Sequence, residues 1–402
     1  MLKKLSSKDN SNSEVCHICT KHIFKMELFP DFSDILDSSI NILFWGLAFV
    51  QLFWMLFFYA RISFHKEKKV DSINPPVSII IVARNEEDNL FEYLPSILEQ
   101  DYHEYEVIVV NHQSTDNTEY ILKAFRESSP HLRIVNLERD RHLTYGKKLP
   151  LTIGIKGAKY NHLLLTDADC KPTSDQWLKN MAGKFTEKKE IVLGYGPHRK
   201  LPGFLNRVIR LDTSFIALNY LSFAKAGIPY MGVGRNLAYT QELFMNNSGF
   251  KSHYSIQSGD DDLFIQEVAK NRNYTISLDP STFCYSDAKE TWEDWYTQKS
   301  RHYTTTSRYG LFKKLLLGIY PLTLILLYIT LVILLLNNWL NWTSIGVISL
   351  IIIVKWLTLG FAMKKLKQKS FISGIIFWDL FYALLTPIVY YTTEQSKNAT
   401  WK

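Results

Sequence analysis

Two acidic clusters carry the residue types and spacings that could do chemistry. Asp167 and Asp169 stand one residue apart at the end of the apolar run Leu163-Leu164-Leu165. Alternate side chains of an extended chain share a face, so both carboxylates point to one side and could hold one divalent cation on a diphosphate. The second cluster is Asp260-Asp261-Asp262. Crowded carboxylates repel one another, and repulsion raises at least one pKa toward the range in which a carboxylate takes a proton from a hydroxyl. Each cluster also has a plainer reading, the first as a strand end and the second as a helix cap that complements the dipole. Three cationic or glycine-rich stretches accompany them. Gly146-Lys147-Lys148 offers two ammonium groups. Gly232 and Gly234 let backbone approach a ligand closely, and Arg235 and Asn236 beside them suit phosphate or hydroxyl groups. Gln298, Arg301 and His302 share one helical face at i, i+3 and i+4, with Trp292 and Trp295 on an adjoining side.

An α/β domain is needed to bring these together. Residues 77–83 form a continuous apolar run that fits a strand buried on both faces. The polar turn Arg84-Asn85-Glu86-Glu87 follows, then Leu90, Tyr93, Leu94, Ile97 and Leu98 repeat at helical spacing. A second strand over 106–110 leads through Asn111 and Ser114-Thr115-Asp116 into another helix, and a third strand covers 132–137. Strand alternating with helix predicts a parallel sheet, with its ligand at the carboxyl ends of the strands. Beyond Asp169 we expect a helix over 177–185, a strand over 191–195, a long amphipathic segment over 204–226 and a helix over 263–270.

The order of these motifs resembles the membrane-bound family 2 glycosyltransferases, whose fold is GT-A, a Rossmann-like nucleotide-sugar-binding domain. The residues that carry the resemblance are 77–89, Ser114-Thr115-Asp116, Gly146-Lys147, Asp167-Ala168-Asp169, the glycine loop at 232–236, the aspartate cluster and Gln298-Lys299-Ser300-Arg301-His302. It implies Mg²⁺ or Mn²⁺ on Asp169 with Asp167 near the ribose or second in line, and Asp261 as general base, with Asp260 its close competitor. It implies donor contacts from Ala83, Asn85, Glu86, Asn111, Lys147, Gln298 and Arg301, and an acceptor side made by Gly232, Gly234, Arg235, Asn236 and His302. Two positions depart from the family pattern. Relatives usually carry Asp where Asn111 stands, although an amide can still pair with uracil. His302 replaces the tryptophan of the Q-x-x-R-W motif, which puts the acceptor contact in question. The resemblance extends to ceramide glucosyltransferases, which transfer one sugar to a lipid, and to cellulose and hyaluronan synthases, which are processive. A nucleotide-sugar-binding scaffold without catalysis is the alternative of another class.

Composition places this domain at a membrane. The 402 residues are 47% hydrophobic and 14% aromatic, and a net charge of +7 is spread in lysine clusters beside apolar runs, a pattern of membrane flanks rather than a nucleic-acid surface. Four stretches are long and apolar enough to span a bilayer: 40–60, 315–336, 344–363 and 371–391. The expected organisation is a tail over 1–39, the first span, a basic linker over 61–75, the GT-A domain over 76–290, an interfacial segment over 291–314, three spans within 315–391 and a tail over 392–402. Arg61, Lys66, Lys68 and Lys69 follow the first span, and Lys364, Lys365, Lys367 and Lys369 separate the last two. The positive-inside bias at both ends then places residues 62–313 in the cytoplasm, as in an integral protein of a bacterial cytoplasmic membrane.

Two charges interrupt the spans. Lys355 and Asp379 each lie eight residues from the cytoplasmic end of their stretch, roughly 12 Å deep at ~1.5 Å per residue. An unpaired charge at that depth costs about 2.5 to 3.5 kcal/mol, so an ion pair between adjacent helices is expected. Cys16 and Cys19 with His22 resemble a fragment of a zinc site but lack a second half, the cysteines show no disulfide framework, and Met26 is a candidate natural start.

Overall fold

The computed structural model describes residues 32–67, 73–138, 146–256 and 258–393. Cys16, Cys19, His22, Met26 and the tail beyond Thr393 lie outside the described residues. The centre is a seven-stranded sheet in the order β3-β2-β1-β4-β7-β6-β8. Its parallel half consists of β1 (Val77–Ala83), β2 (Tyr105–His112), β3 (Leu132–Leu137) and β4 (His162–Asp167). Strand β1 is buried at every position, as its unbroken apolar run requires. Register puts Ala83 level with Asn111 and Val82 level with Asp167, so three strands end together on one edge.

Helices α2 (Glu87–Leu98), α3 (Thr118–Ser128) and α4 (Lys148–Lys156) make the crossovers. The other half breaks the parallel rule. Strand β7 (Leu237–Thr240) runs antiparallel to both β4 and β6 (Ile191–Leu193), and β6 pairs in parallel with β8 (Tyr274–Ile276). A separate two-stranded ribbon joins β5 (Cys170–Pro172) to β9 (Cys284–Ser286) just beyond Asp169. Cys170 and Cys284 are free buried thiols on this ribbon. The remaining domain helices are α5 (Trp177–Ala182), α6 (Phe204–Ala226), α7 (Gln241–Asn246), α8 (Asp262–Val268) and α9 (Trp292–Tyr303). Helix α5 and strand β6 are shorter than the spans expected at 177–185 and 191–195.

Among the described residues, four helices are long and apolar enough to cross a membrane. The first, α1, starts at Phe32 rather than near residue 40, and runs through a π-helical stretch, Met55–Tyr59, into a last turn, Ala60–Ser63. The others are α10 (Leu311–Leu336), α11 (Trp342–Lys365) and α12 (Ile375–Thr393).

Helix α6 joins the domain to this bundle. It is buried along most of its length, including Arg210 and Asp212. Phe223 packs against Trp54 and Phe58, and the Tyr59 hydroxyl donates to Asn219 Oδ1 at 2.8 Å, both at the π-helical stretch of α1. An extra residue in a helical turn widens it, and here the widened turn fits against α6. Lys299 of α9 pairs with Asp212 at 2.9 Å, and Arg210 donates to Gln368 and Ser370 in the α11–α12 connection.

The expected membrane ion pair is present. Lys355 Nζ lies 2.5 Å from Asp379 Oδ2, both side chains are at most 2% exposed, and the Tyr320 hydroxyl donates to Asp379 Oδ1 at 2.7 Å. One residue from each of α10, α11 and α12 thus meets at a single carboxylate.

Candidate active site

The site lies at the carboxyl edge of β1, β2 and β4. The first two loops there are zipped together by their own polar groups. Asn85, held at φ +53°, accepts from the Thr115 amide through Oδ1, and its amide donates to Ser114 Oγ. The Glu86 amide donates to Thr118 Oγ1, the Glu87 amide to Asp116 Oδ2, and the Asn117 amide to Glu87 Oε2. The Asn85 Oδ1 therefore holds the two loops together, while the residue itself is exposed at the sheet edge. Ala83 is fully buried at the end of β1. Asn111 is 5% exposed and gives its Nδ2 to Asn136 Oδ1, while its own Oδ1 has no partner among the described residues.

Strand β4 delivers Asp167 and, after the turn, Asp169. The ligand atoms of Asp167, Asp169 and Cys170 lie within 4.8 Å of one another. Burial pushes the Asp167 carboxyl up, but Lys147 Nζ at 2.5 Å outweighs it and the net shift is down. Asp169 makes no ion pair among the described residues, and burial and the charge of Asp167 shift it up against the weaker pull of Arg235. Burial also raises the Cys170 thiol well above its ordinary range. The two carboxylates offer hard oxygens, ligands that suit Mg²⁺ or Mn²⁺. Glu86 faces the same pair: burial, followed by the charges of Asp169 and Asp167, pushes its carboxyl to about 7 against an opposing hydrogen bond from Asn89.

The aspartate cluster sits across Lys147 from this pair. Lys147 Nζ is 3.5 Å from Asp260 Oδ2, so one ammonium bridges the two acidic groups. Asp261 Oδ2 accepts from the Gly234 amide at 3.0 Å and Oδ1 from the Asp262 amide at 2.7 Å. Burial, then the neighbouring Asp260 and Asp262, push the Asp261 carboxyl to about 7. Gly234 sits close to Lys147 and to the cluster, because a Cβ there would lie 3.2 Å from Lys147 Nζ, crowding the ammonium, and 3.7 Å from the carboxylates of Asp260 and Asp261. Asp262 has a different part. Its Oδ2 accepts from Thr305 Oγ1 at 2.5 Å and from the Tyr309 hydroxyl at 2.6 Å, tying the cluster to the segment that enters α10.

The glycine loop divides between site and core. The carboxyls of Asp167 and Asp169 both feel the Arg235 guanidinium, which donates to Ser286 Oγ at 2.6 Å and lies 3.0 Å from His198 Nε2. Burial, then Arg235, hold His198 well below its ordinary pKa, so it is neutral and can accept. His198 and Ser286 were not anticipated as partners of Arg235. Asn236 is a correction: it is fully buried, accepts from Trp177 Nε1 and donates to the carbonyls of Tyr195 and Thr282, so it pins the core and does not face an acceptor. Gly232 likewise backs onto Leu237 and Ile265. On α9, Arg301 lies close enough to lower Asp167, Gln298 is half-buried, and His302 is exposed. Surrounding protein, then Arg301 and Lys299, keep His302 neutral.

Residues 78–245 match the family described as glycosyl transferase family 2, and residues 191–387 match glycosyl transferase family group 2. The chain belongs to glycosyltransferase family 2. Among curated relatives, this family 2 chain is 23% identical over 278 residues to a poly-beta-1,6-N-acetyl-D-glucosamine synthase of Staphylococcus aureus, a match that spans 65% of this chain and 64% of that protein. It is 31% identical over 137 residues to the synthase of the same name from Staphylococcus epidermidis, 32% of each chain. Its fold resembles that of a mannosyltransferase from Pyrobaculum calidifontis solved with GDP-Man and Mn²⁺, with a TM-score of 0.53 and 18% identity over 88% of this chain and 98% of that one. The fold is that of the GT-A glycosyltransferases.

Proposed function

We propose that this glycosyltransferase moves a sugar from a nucleotide-sugar, taken to be a uridine diphosphate sugar, to a lipid or lipid-linked acceptor at the cytoplasmic face of the membrane, with inversion. The observation that carries the proposal is the placement of Lys147 between Asp167 and Asp260, which sets a diphosphate end and a base end on opposite sides of one cation. Asp169, with Asp167 beside it, would hold Mg²⁺ or Mn²⁺, which when bound neutralises the departing diphosphate. Lys147, Arg235 and Arg301 add fixed positive charge at the same end. Asp261 accepts the proton of the acceptor hydroxyl as that oxygen attacks the anomeric carbon, and the sugar–phosphate bond breaks on the opposite face. An exposed aromatic edge, in which Phe204 lies tilted against Trp292 and edge-on to Phe381 of α12, supports an acceptor that arrives along the bilayer.

The test is release of nucleoside diphosphate from a panel of nucleotide-sugars by detergent-purified protein supplied with membrane lipid. Turnover with one donor is expected, abolished by EDTA and restored by Mn²⁺ or Mg²⁺. Asp169→Asn is expected to lower turnover at least about 100-fold, with the metal requirement shifted to higher concentration. Turnover that is untouched by EDTA contradicts the metal assignment. A second reading, a processive polysaccharide synthase, is favoured by the names of the Staphylococcus relatives. A ladder of products from one UDP-sugar selects it over a single glycolipid.

The pH dependence follows from Asp261. The carboxyl titrates at about 7 and must be ionised to accept a proton, so kcat/KM falls as pH drops through that value. Initial rates across neutral pH check this, and a rate that holds flat down to about pH 5 removes Asp261 as the base.

A further inference from the structure

The proposed base stands on a turn whose support comes from an unexpected direction. Lys148 opens α4 and is 3% exposed. Its Nζ donates to three main-chain carbonyls, those of His253 at 2.6 Å, Ile256 at 2.7 Å and Ser258 at 2.7 Å. An ammonium has three protons, and all three are used on one short segment that ends two residues before Asp260. A lysine at a helix start also meets the positive end of the dipole, so its place there is unfavourable unless the contacts it makes offset the repulsion. The adjacent Lys147 points the other way, to Asp167 and Asp260. The first turn of one helix therefore grips both halves of the site. Asp262 is held from the far side by Thr305 and Tyr309, and Asp261 from the front by the Gly234 amide, so Lys148 supplies the remaining support from behind.

We propose that Lys148 is a positioning residue for sugar transfer: its ammonium gathers the carbonyls of His253, Ile256 and Ser258 and thereby sets Asp261 at the distance from the acceptor hydroxyl that proton transfer requires. The proposal rests on the functional reading above. Lys148 Nζ is spent on these carbonyls and, among the described residues, pairs with neither Asp167 nor Asp169, so its loss acts on the chemical step and leaves donor recognition alone. Without it three carbonyls turned toward one point lose their common donor, and the turn relaxes.

The experiment compares the full-length protein with its Lys148→Met and Lys148→Arg variants, using UDP-N-acetylglucosamine, Mn²⁺ and membrane lipid, or whichever UDP-sugar the panel selects. K148M is expected to lose about 100-fold in kcat, the scale of a misplacement of about 1 Å, with donor KM within about threefold of the parent. K148R keeps the charge but cannot place one group among three carbonyls, and is expected to fall between the two. Hydrogen exchange should rise at the amides of residues 258–265 in K148M and stay unchanged in β1 and β2. A kcat within about threefold of the parent, or a loss of kcat, UDP binding and melting temperature together, overturns the proposal and assigns Lys148 to the fold alone. If the parent turns over no nucleotide-sugar, the functional reading fails instead, and the exchange comparison still decides whether Lys148 orders the turn.

Discussion

Asp261→Asn lowers sugar transfer by about 100- to 10,000-fold, the range expected for loss of a general base, and leaves donor KM within about threefold. The asymmetry follows from what Asp261 touches. It accepts from two main-chain amides, those of Gly234 and Asp262, whereas the ion pairs of Lys147 among the described residues go to Asp167 and Asp260. An asparagine side chain can keep one of these bonds, so the turn survives while the proton acceptor is gone. Asp260 lies against Lys147, and Asp260→Asn should change donor affinity more than kcat because it alters the cation that faces the diphosphate. Stopped turnover with intact UDP binding in the first variant, and raised KM in the second, separate the two carboxylates. Turnover that survives both substitutions removes the cluster from the chemistry.

Lys355→Met destabilises the protein by about 3 to 5 kcal/mol, because it strands a buried carboxylate inside a helical bundle. Asp379 is 1% exposed and its remaining partner, the Tyr320 hydroxyl, is neutral. The double variant Lys355→Met with Asp379→Leu removes both charges at similar volume and should recover most of that loss. Thermal melting in detergent reads both effects. A single variant that melts with the parent shows that the pair is not needed to hold α10, α11 and α12 together. The surviving folded fraction should keep parental KM, since none of these side chains reaches the sheet edge.

Features set by local pattern were legible in the chain. The bounds of β1 and β3 and the full length of α6 follow from burial patterns that a single segment displays. The Lys355–Asp379 pair was legible because depth along two antiparallel helices is arithmetic. What escaped depends on neighbours distant in sequence. The β5–β9 ribbon has strands of three residues, too short to show a period, and its two strands lie more than a hundred residues apart in the chain. Asn236 carries the same chemistry whether it meets a ligand or Trp177, and only the burial around it decides. The early start of α1 at Phe32 escaped because its first turns are polar and only the later ones are continuously apolar. Lys148 did leave one trace in the sequence, a second lysine where a helix start favours acids, and the loop it supports lies more than a hundred residues away.

The most direct measurement counts two products at once: nucleoside diphosphate released and sugar gained by the lipid fraction, from a radiolabelled UDP-sugar with Mn²⁺ and purified protein. One sugar is expected in lipid for each diphosphate released, with both counts abolished together by EDTA and by Asp261→Asn. Diphosphate released without sugar in any acceptor, or no release from any nucleotide-sugar, would contradict transfer as the function of this site.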